Sequence, residues 1–100
     1  MQFRLLSFFF LIFSITSAQE ITVLDNITAE PLANVAIYNQ DKSISAVTNV
    51  SGKANISQFT DTEVIIFKSM NYIEAYRRKR EIVNNDNLVL LESLENQLAQ

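Results

Sequence analysis

Apolar and polar residues alternate along most of the chain from residue 21 onward, with the period of two that is typical of β-strands. The run Val64, Ile65, Ile66 and Phe67 is instead apolar throughout, which is typical of a strand covered on both faces and predicts the centre of the core. Together these patterns predict six or seven short strands, at residues 21–25, 35–38, 44–49, 53–57, 64–67, 72–80 and 88–91.

Turn-forming residues separate these segments, and two of them have specific roles. Pro31 lies in the break after the first strand, and Gly52 is the only glycine of the chain. Glycine suits a hairpin position with positive φ because it has no Cβ to clash with the backbone. Pro31 and Gly52 are therefore the predicted turn residues.

The last part of segment 72–80 is strongly basic, with the sequence Arg-Arg-Lys-Arg at residues 77–80. Charge on both faces argues against a central strand and predicts an edge strand or a solvated extension, because charged edges discourage pairing with other chains. The alternative is a surface for anionic lipid headgroups or polysaccharide. Residues 93–100 have helical propensity, but so short a helix is marginal by itself, and we expect a linker there.

Short strands at intervals of about ten residues indicate an all-β fold, a small antiparallel Greek-key β-sandwich. Alternation also predicts which side chains fill the space between the two sheets. The predicted core residues are Ile21, Val23, Leu32, Val35, Ile37, Val47, Ile56, Ile65, Phe67, Ile73, Val89 and Leu91.

The first eighteen residues have the three parts of a secretory signal peptide. Arg4 supplies the positive charge, residues 5–15 are mostly apolar, and small residues end at Ala18. A membrane anchor is the alternative, but a spanning helix needs about 20 apolar residues. We therefore expect cleavage between Ala18 and Gln19, which divides the chain into a signal peptide (1–18), a sandwich domain (19–92) and a linker (93–100).

Composition narrows the classes of partner and cofactor. Without Arg4, the mature chain carries 7 Lys and Arg against 11 Asp and Glu, a net charge of −4. This acidity argues against a nucleic-acid partner, which needs a basic face. The chain has no cysteine and no histidine, the usual ligands of zinc and most transition metals, so no metal and no cofactor are expected.

Candidate catalytic groups are equally few. The sequence has no histidine base, no cysteine nucleophile, no Gly-rich phosphate loop and no G-x-S-x-G motif. Asp61 and Glu63 lie two residues apart, but a catalytic pair of carboxylates needs burial to separate the two pKa values. These two residues belong to a polar loop, so we expect a solvated turn and a protein without enzymatic activity.

Three stretches resemble a known family. Residues 23–37 contain a strand, an Asp, a Thr-x-x-Pro-Leu turn and a valine-rich strand, and this order resembles the opening of carboxypeptidase-regulatory-like domains. Residues 47–56 are similar to the T-D-x-x-G-x-F-x-I hairpin of that family, and residues 66–72 resemble its core strand with the following Gly-Tyr. Asn49, Ala54 and Asn71 depart from the usual Asp, aromatic residue and Gly.

The resemblance implies a context as well as a fold. Such domains precede the plug of TonB-dependent outer-membrane receptors in Bacteroidota, directly after the signal peptide. It implies a non-enzymatic accessory domain in nutrient uptake, at the periplasmic face of the outer membrane, with the receptor's own plug and barrel and periplasmic envelope proteins as partners. A plug and barrel need several hundred residues, so we expect an N-terminal fragment or a truncated product.

Two other hypotheses stay open. The first is a free-standing exported β-sandwich that binds a protein or a glycan at a sheet edge. The second is an enzyme, which would have to work without histidine and cysteine.

Expression in an exporting host tests the signal peptide. Mass spectrometry of the exported product should give the mass of residues 19–100, because the peptidase recognises the small residues before Gln19. A product that keeps residues 1–18 would contradict cleavage, and Ala18→Phe should block it in a matched control.

Overall fold

The computed structural model describes residues 19–95, which form seven β-strands and a short helix. The predicted signal peptide and the last five residues of the predicted linker lie outside the described residues. The elements are β1 (Glu20–Asp25), β2 (Ala36–Tyr38), β3 (Ser45–Val47), β4 (Lys53–Asn55), β5 (Val64–Lys68), β6 (Ala75–Arg78), α1 (Lys79–Asn84) and β7 (Leu88–Leu91). Within residues 19–95, no helix is long and apolar enough to span a membrane.

The strands form two sheets, and the predicted all-β sandwich is confirmed. One sheet has three strands in the order β4-β1-β7, and the other has four in the order β3-β2-β5-β6. One pairing differs from the expected antiparallel arrangement: β1 and β7 are parallel, with Thr22 opposite Leu88 and Asp25 opposite Leu91. The connection from β6 through α1 returns the chain to the end where β1 begins, so β7 runs in the same direction as β1.

The core lies between the two sheets and follows the alternation of the strands. Of the twelve predicted core residues, nine are buried, and Phe67 is the largest side chain among those fully enclosed. Leu32 and Ile73 are only partly buried. The buried members of the predicted set are Ile21, Val23, Val35, Ile37, Ile56, Ile65, Phe67, Val89 and Leu91.

The prediction for Val47 was wrong, because the other face of β3 is the inner one. Val47 is 60% exposed. Ala46 pairs with the buried Ile37 and packs against the core. Thr48 also points inward and is buried, because its hydroxyl donates a hydrogen bond to the Leu32 carbonyl and accepts one from the Val35 N–H.

The basic segment is only partly as predicted. β6 is an edge strand of the four-stranded sheet, as expected, but α1 begins at Lys79 and was not predicted. The Glu81 carboxylate accepts a hydrogen bond from the Arg78 N–H at 2.7 Å, which caps the first turn of the helix. Lys79 is only 8% exposed, and its ammonium group donates to the Phe59 carbonyl at 2.8 Å. Ile82 follows on the same helix and joins the core.

Replacement of the largest core side chain should nearly unfold this small domain. Phe67→Ala removes a fully enclosed ring and should lower the free energy of unfolding by about 3–5 kcal/mol. Urea unfolding of the processed chain measures the change. Val50→Ala is the control, because Val50 is 87% exposed and its loss should change stability by no more than about 0.5 kcal/mol. An unchanged midpoint in Phe67→Ala would contradict this core.

Candidate functional site

Residues from separate loops meet at one end of the sandwich, which we call the loop end and define as residues 26–35, 48–52, 69–74 and 92–94. β1 and β7 both finish there, at Asp25 and Leu91. The Leu32 N–H donates to the Val23 carbonyl, and the Asn34 N–H donates to the Thr48 carbonyl. These bonds attach the first loop to both sheets.

The Asp25 carboxylate is the polar centre of the loop end. It is 7% exposed, and its Oδ1 accepts hydrogen bonds from the N–H groups of Ile27 at 2.8 Å and Thr28 at 3.0 Å. Its Oδ2 accepts a hydrogen bond of 2.7 Å from the hydroxyl of Tyr72. Tyr72 lies in the loop after β5, a strand of the other sheet. The carboxylate therefore caps one loop and joins it to a second.

These bonds change the acidity of both partners. The Thr28 N–H, then the Tyr72 hydroxyl and the Ile27 N–H, hold the pKa of Asp25 below its ordinary value, since all three stabilise the charged form. The same carboxylate raises the pKa of Tyr72 to about 12, because it accepts the phenolic proton. Ionised Asp25 and neutral Tyr72 are therefore the forms that stabilise the fold.

The two predicted turn residues lie against each other at the loop end. Gly52 has a φ of +74°, and a Cβ at this position would lie 2.8 Å from the Val23 carbonyl oxygen and 3.0 Å from the Pro31 Cβ. Positive φ and close approach both require glycine here. The turn is not a hairpin as predicted, because β3 and β4 belong to different sheets and Gly52 lies in a crossing between them.

The chain beyond β7 is also attached to the loop end. The Ile73 N–H donates to the Glu92 carbonyl at 2.8 Å, and the Leu94 N–H donates to the Asn71 carbonyl at 2.9 Å. Tyr72 and Ser93 form an antiparallel bridge between these two bonds. The first two residues of the predicted linker, Ser93 and Leu94, therefore contact the domain through backbone pairing.

The two candidate catalytic carboxylates, Asp61 and Glu63, differ in their surroundings. The Glu63 carboxylate accepts hydrogen bonds from the Asn39 side chain at 2.9 Å and from the Thr60 N–H at 3.2 Å. Asp61 is exposed, and its backbone carbonyl accepts a bond from the Arg80 N–H. Among residues 19–95, no group of three or more Asp, Glu, His or Cys side chains could hold a metal ion.

Several backbone groups at the sheet edges are already bonded. On β6, the Tyr76 carbonyl accepts a bond from the Arg77 guanidinium at 2.8 Å. On β7, the Leu88 N–H donates to the Asn85 carbonyl, and the Leu88 carbonyl accepts from the Asn85 side chain. These bonds occupy part of the β6 and β7 edges, and a bonded edge group is not available to a partner strand.

No family model matches this chain, and neither a curated protein nor a solved structure matches it. The structure brings the predicted turn residues Pro31 and Gly52 together with Asp25 and Tyr72. The sequence analysis did not predict Asp25 and Tyr72 as site residues. Both lie in the stretches that resemble the family, and this was the signal that could have identified them.

The bond between Asp25 and Tyr72 predicts a pH-dependent stability. Because the pKa of folded Asp25 lies below the ordinary 3.8, its stabilising effect is complete above that value and is lost as pH falls through the lowered pKa. Asp25→Asn should therefore be less stable at neutral pH, and its difference from wild type should shrink as pH falls below 3.8. Urea unfolding at each pH measures the difference.

Two further variants make this test specific. Tyr72→Phe removes only the hydroxyl and should cost about 1–2 kcal/mol at neutral pH, since one carboxylate oxygen loses its partner. Asp86→Asn makes the same chemical change as Asp25→Asn at an exposed position and should have little effect. A pH-independent difference for Asp25→Asn would contradict the role of the ionised carboxylate.

Proposed function

We propose that the mature chain is a non-enzymatic interaction module of the carboxypeptidase-regulatory-like kind, which precedes the plug of a TonB-dependent receptor at the periplasmic face of the outer membrane. One observation carries the proposal. The family-like stretches are separate in sequence, yet Asp25, Pro31, Gly52 and Tyr72 from them meet at the loop end. Each of these residues has a structural role at the loop end. The residues that carry the resemblance therefore pack together, and this supports the proposal.

The departures from the family pattern support the same interpretation, because two of them preserve the required geometry. Asn71 has a φ of 70°, a left-handed conformation that asparagine tolerates better than most residues in place of glycine. The Asn49 side-chain oxygen accepts bonds from the N–H groups of Ser51 at 2.9 Å and Lys53 at 3.1 Å, as an aspartate oxygen would. Ala54, in place of an aromatic residue, still faces the core at 8% exposure.

The surface of the loop end supports a role in contacting a following segment. Ile27, Val50 and Met70 are 68%, 87% and 86% exposed, and each projects from a different loop of this end. The Leu94 N–H donates to the Asn71 carbonyl, and Asn71 directly follows Met70 in the chain. A plug that packed against the loop end would bury these apolar side chains, and their burial would stabilise the contact.

The engagement of the acidic side chains supports a non-enzymatic role. The Asp25 carboxylate caps a turn, and the Glu63 carboxylate joins its own loop to that of Asn39. Both carboxylates therefore have structural roles that do not involve proton exchange with a substrate. Interaction through the loop end needs no reactive group.

Fractionation of cells that encode the chain tests the receptor context. An antibody against residues 19–95 should detect a protein of several hundred residues in the outer-membrane fraction, as a 22-stranded barrel requires. A strain without the reading frame is the control for antibody specificity. Detection of only a processed product that ends at Gln100, in the soluble periplasmic fraction, would contradict the proposal.

A further inference from the structure

The outer face of the four-stranded sheet carries a row of aromatic and aliphatic side chains. Tyr38 pairs with Ile66, and Ile66 pairs with Tyr76, so the three residues lie side by side across β2, β5 and β6. They point away from the core, because their neighbours Ile37 and Ile65 are fully buried between the sheets. We call Tyr38, Ile66 and Tyr76 the tyrosine platform.

Exposure differs along the row. Ile66 is on the outer face but only 7% exposed, while Tyr76 beside it is 55% exposed and Tyr38 is partly exposed. Both tyrosines therefore present some surface to solvent, and Tyr76 presents the most. The tyrosines are two strand spacings apart, about 9.5 Å, which is enough for separate sugar rings of a linear oligosaccharide.

Charged and polar groups of both signs surround the platform. The Glu74 carboxylate accepts a hydrogen bond from the Tyr76 hydroxyl, and the Lys42 ammonium lies 5.4 Å from the centre of the Tyr38 ring. Arg78 is on the same face as Tyr76, and its guanidinium donates to the Thr62 carbonyl at 2.8 Å. Donors and acceptors are therefore both available beside the rings.

A shallow depression extends the platform toward α1. It has a volume of about 210 Å³, and Val64 and Tyr76 form its apolar part. Arg77, Arg78 and Glu81 supply its charged part. The combination of apolar surface and convergent polar groups is typical of ligand sites, although this volume is small and suits one sugar unit at most.

We propose that the tyrosine platform binds a neutral oligosaccharide, whose rings stack on Tyr38 and Tyr76 while its hydroxyls bond to Glu74, Lys42 and Arg78. Sugar hydroxyls both donate and accept, so they match a rim of mixed sign, whereas a strongly charged ligand would meet repulsion from one set of groups. The centre of a protein interface is depleted in charged residues, but here charged groups lie directly beside the rings. This site is independent of the proposed receptor context, because it does not involve the loop end.

Tyrosine fluorescence of the full chain tests the proposal. The chain has three tyrosines and no tryptophan, and two of the three form the platform. Titration with maltohexaose and with cellohexaose should give a saturable change for at least one of them. Tyr76→Ala should weaken that binding about tenfold, whereas Tyr76→Phe keeps the ring and should stay within about threefold of wild type.

Other variants keep the test decisive if Tyr76→Ala folds poorly. Glu74→Gln removes the charge from one acceptor and should weaken binding about threefold. Ile27→Ala, at the loop end, should leave the affinity unchanged. A lack of saturable change with both neutral hexaoses would overturn the proposal. Equal binding by Tyr76→Ala, or tighter binding of hexagalacturonate than of either neutral hexaose, would also overturn it.

Discussion

The bonds of the Asp25 carboxylate hold the loop end together. Asp25 is the last residue of β1 in one sheet, and the Tyr72 hydroxyl that donates to it comes from the loop after β5 in the other. The same carboxylate caps the turn that leads to Pro31, and this turn leaves space only for a glycine at position 52. A single ionised group thereby links two sheets and two loops, and its burial is tolerated because each oxygen has a hydrogen-bonding partner.

A domain of this size depends on such polar links. Small domains bury only about 60–65% of their unfolded surface, and this chain has no cysteine with which to form a disulfide. Its apolar core is therefore supplemented by hydrogen bonds between loops, in which Thr48 bonds to Leu32 and Val35 and the Lys79 ammonium bonds to the Phe59 carbonyl. These bonds satisfy polar groups that the core would otherwise leave buried without partners.

The two exposed surfaces differ in chemistry and suit different partners. The loop end presents separate aliphatic and thioether side chains, from Ile27, Val50 and Met70. The outer sheet face instead presents two aromatic rings with charged groups beside them. We propose that the first surface is buried against a following segment and that the second binds a polyhydroxylated ligand. Both roles are compatible with one module, because the two surfaces do not overlap.

A period of two in apolar residues was enough to predict the strands, most of the core and the sandwich, since alternate side chains of a strand must face opposite sides. The family-like stretches also contain Asp25, Pro31, Gly52 and Tyr72, the residues that meet at the loop end. The period leaves the choice of face open, however. In β3 and just after it, the inward side is that of Ala46 and Thr48 and not that of Val47, because the Thr48 hydroxyl bonds to distant backbone groups. Only the tertiary structure decided the parallel pairing of β1 with β7, the helix that begins at Lys79 and the row of Tyr38, Ile66 and Tyr76. The strand pairings, and the packing of Lys79 and Ile82 that positions the helix, depend on contacts between residues far apart in the chain, which no local pattern encodes.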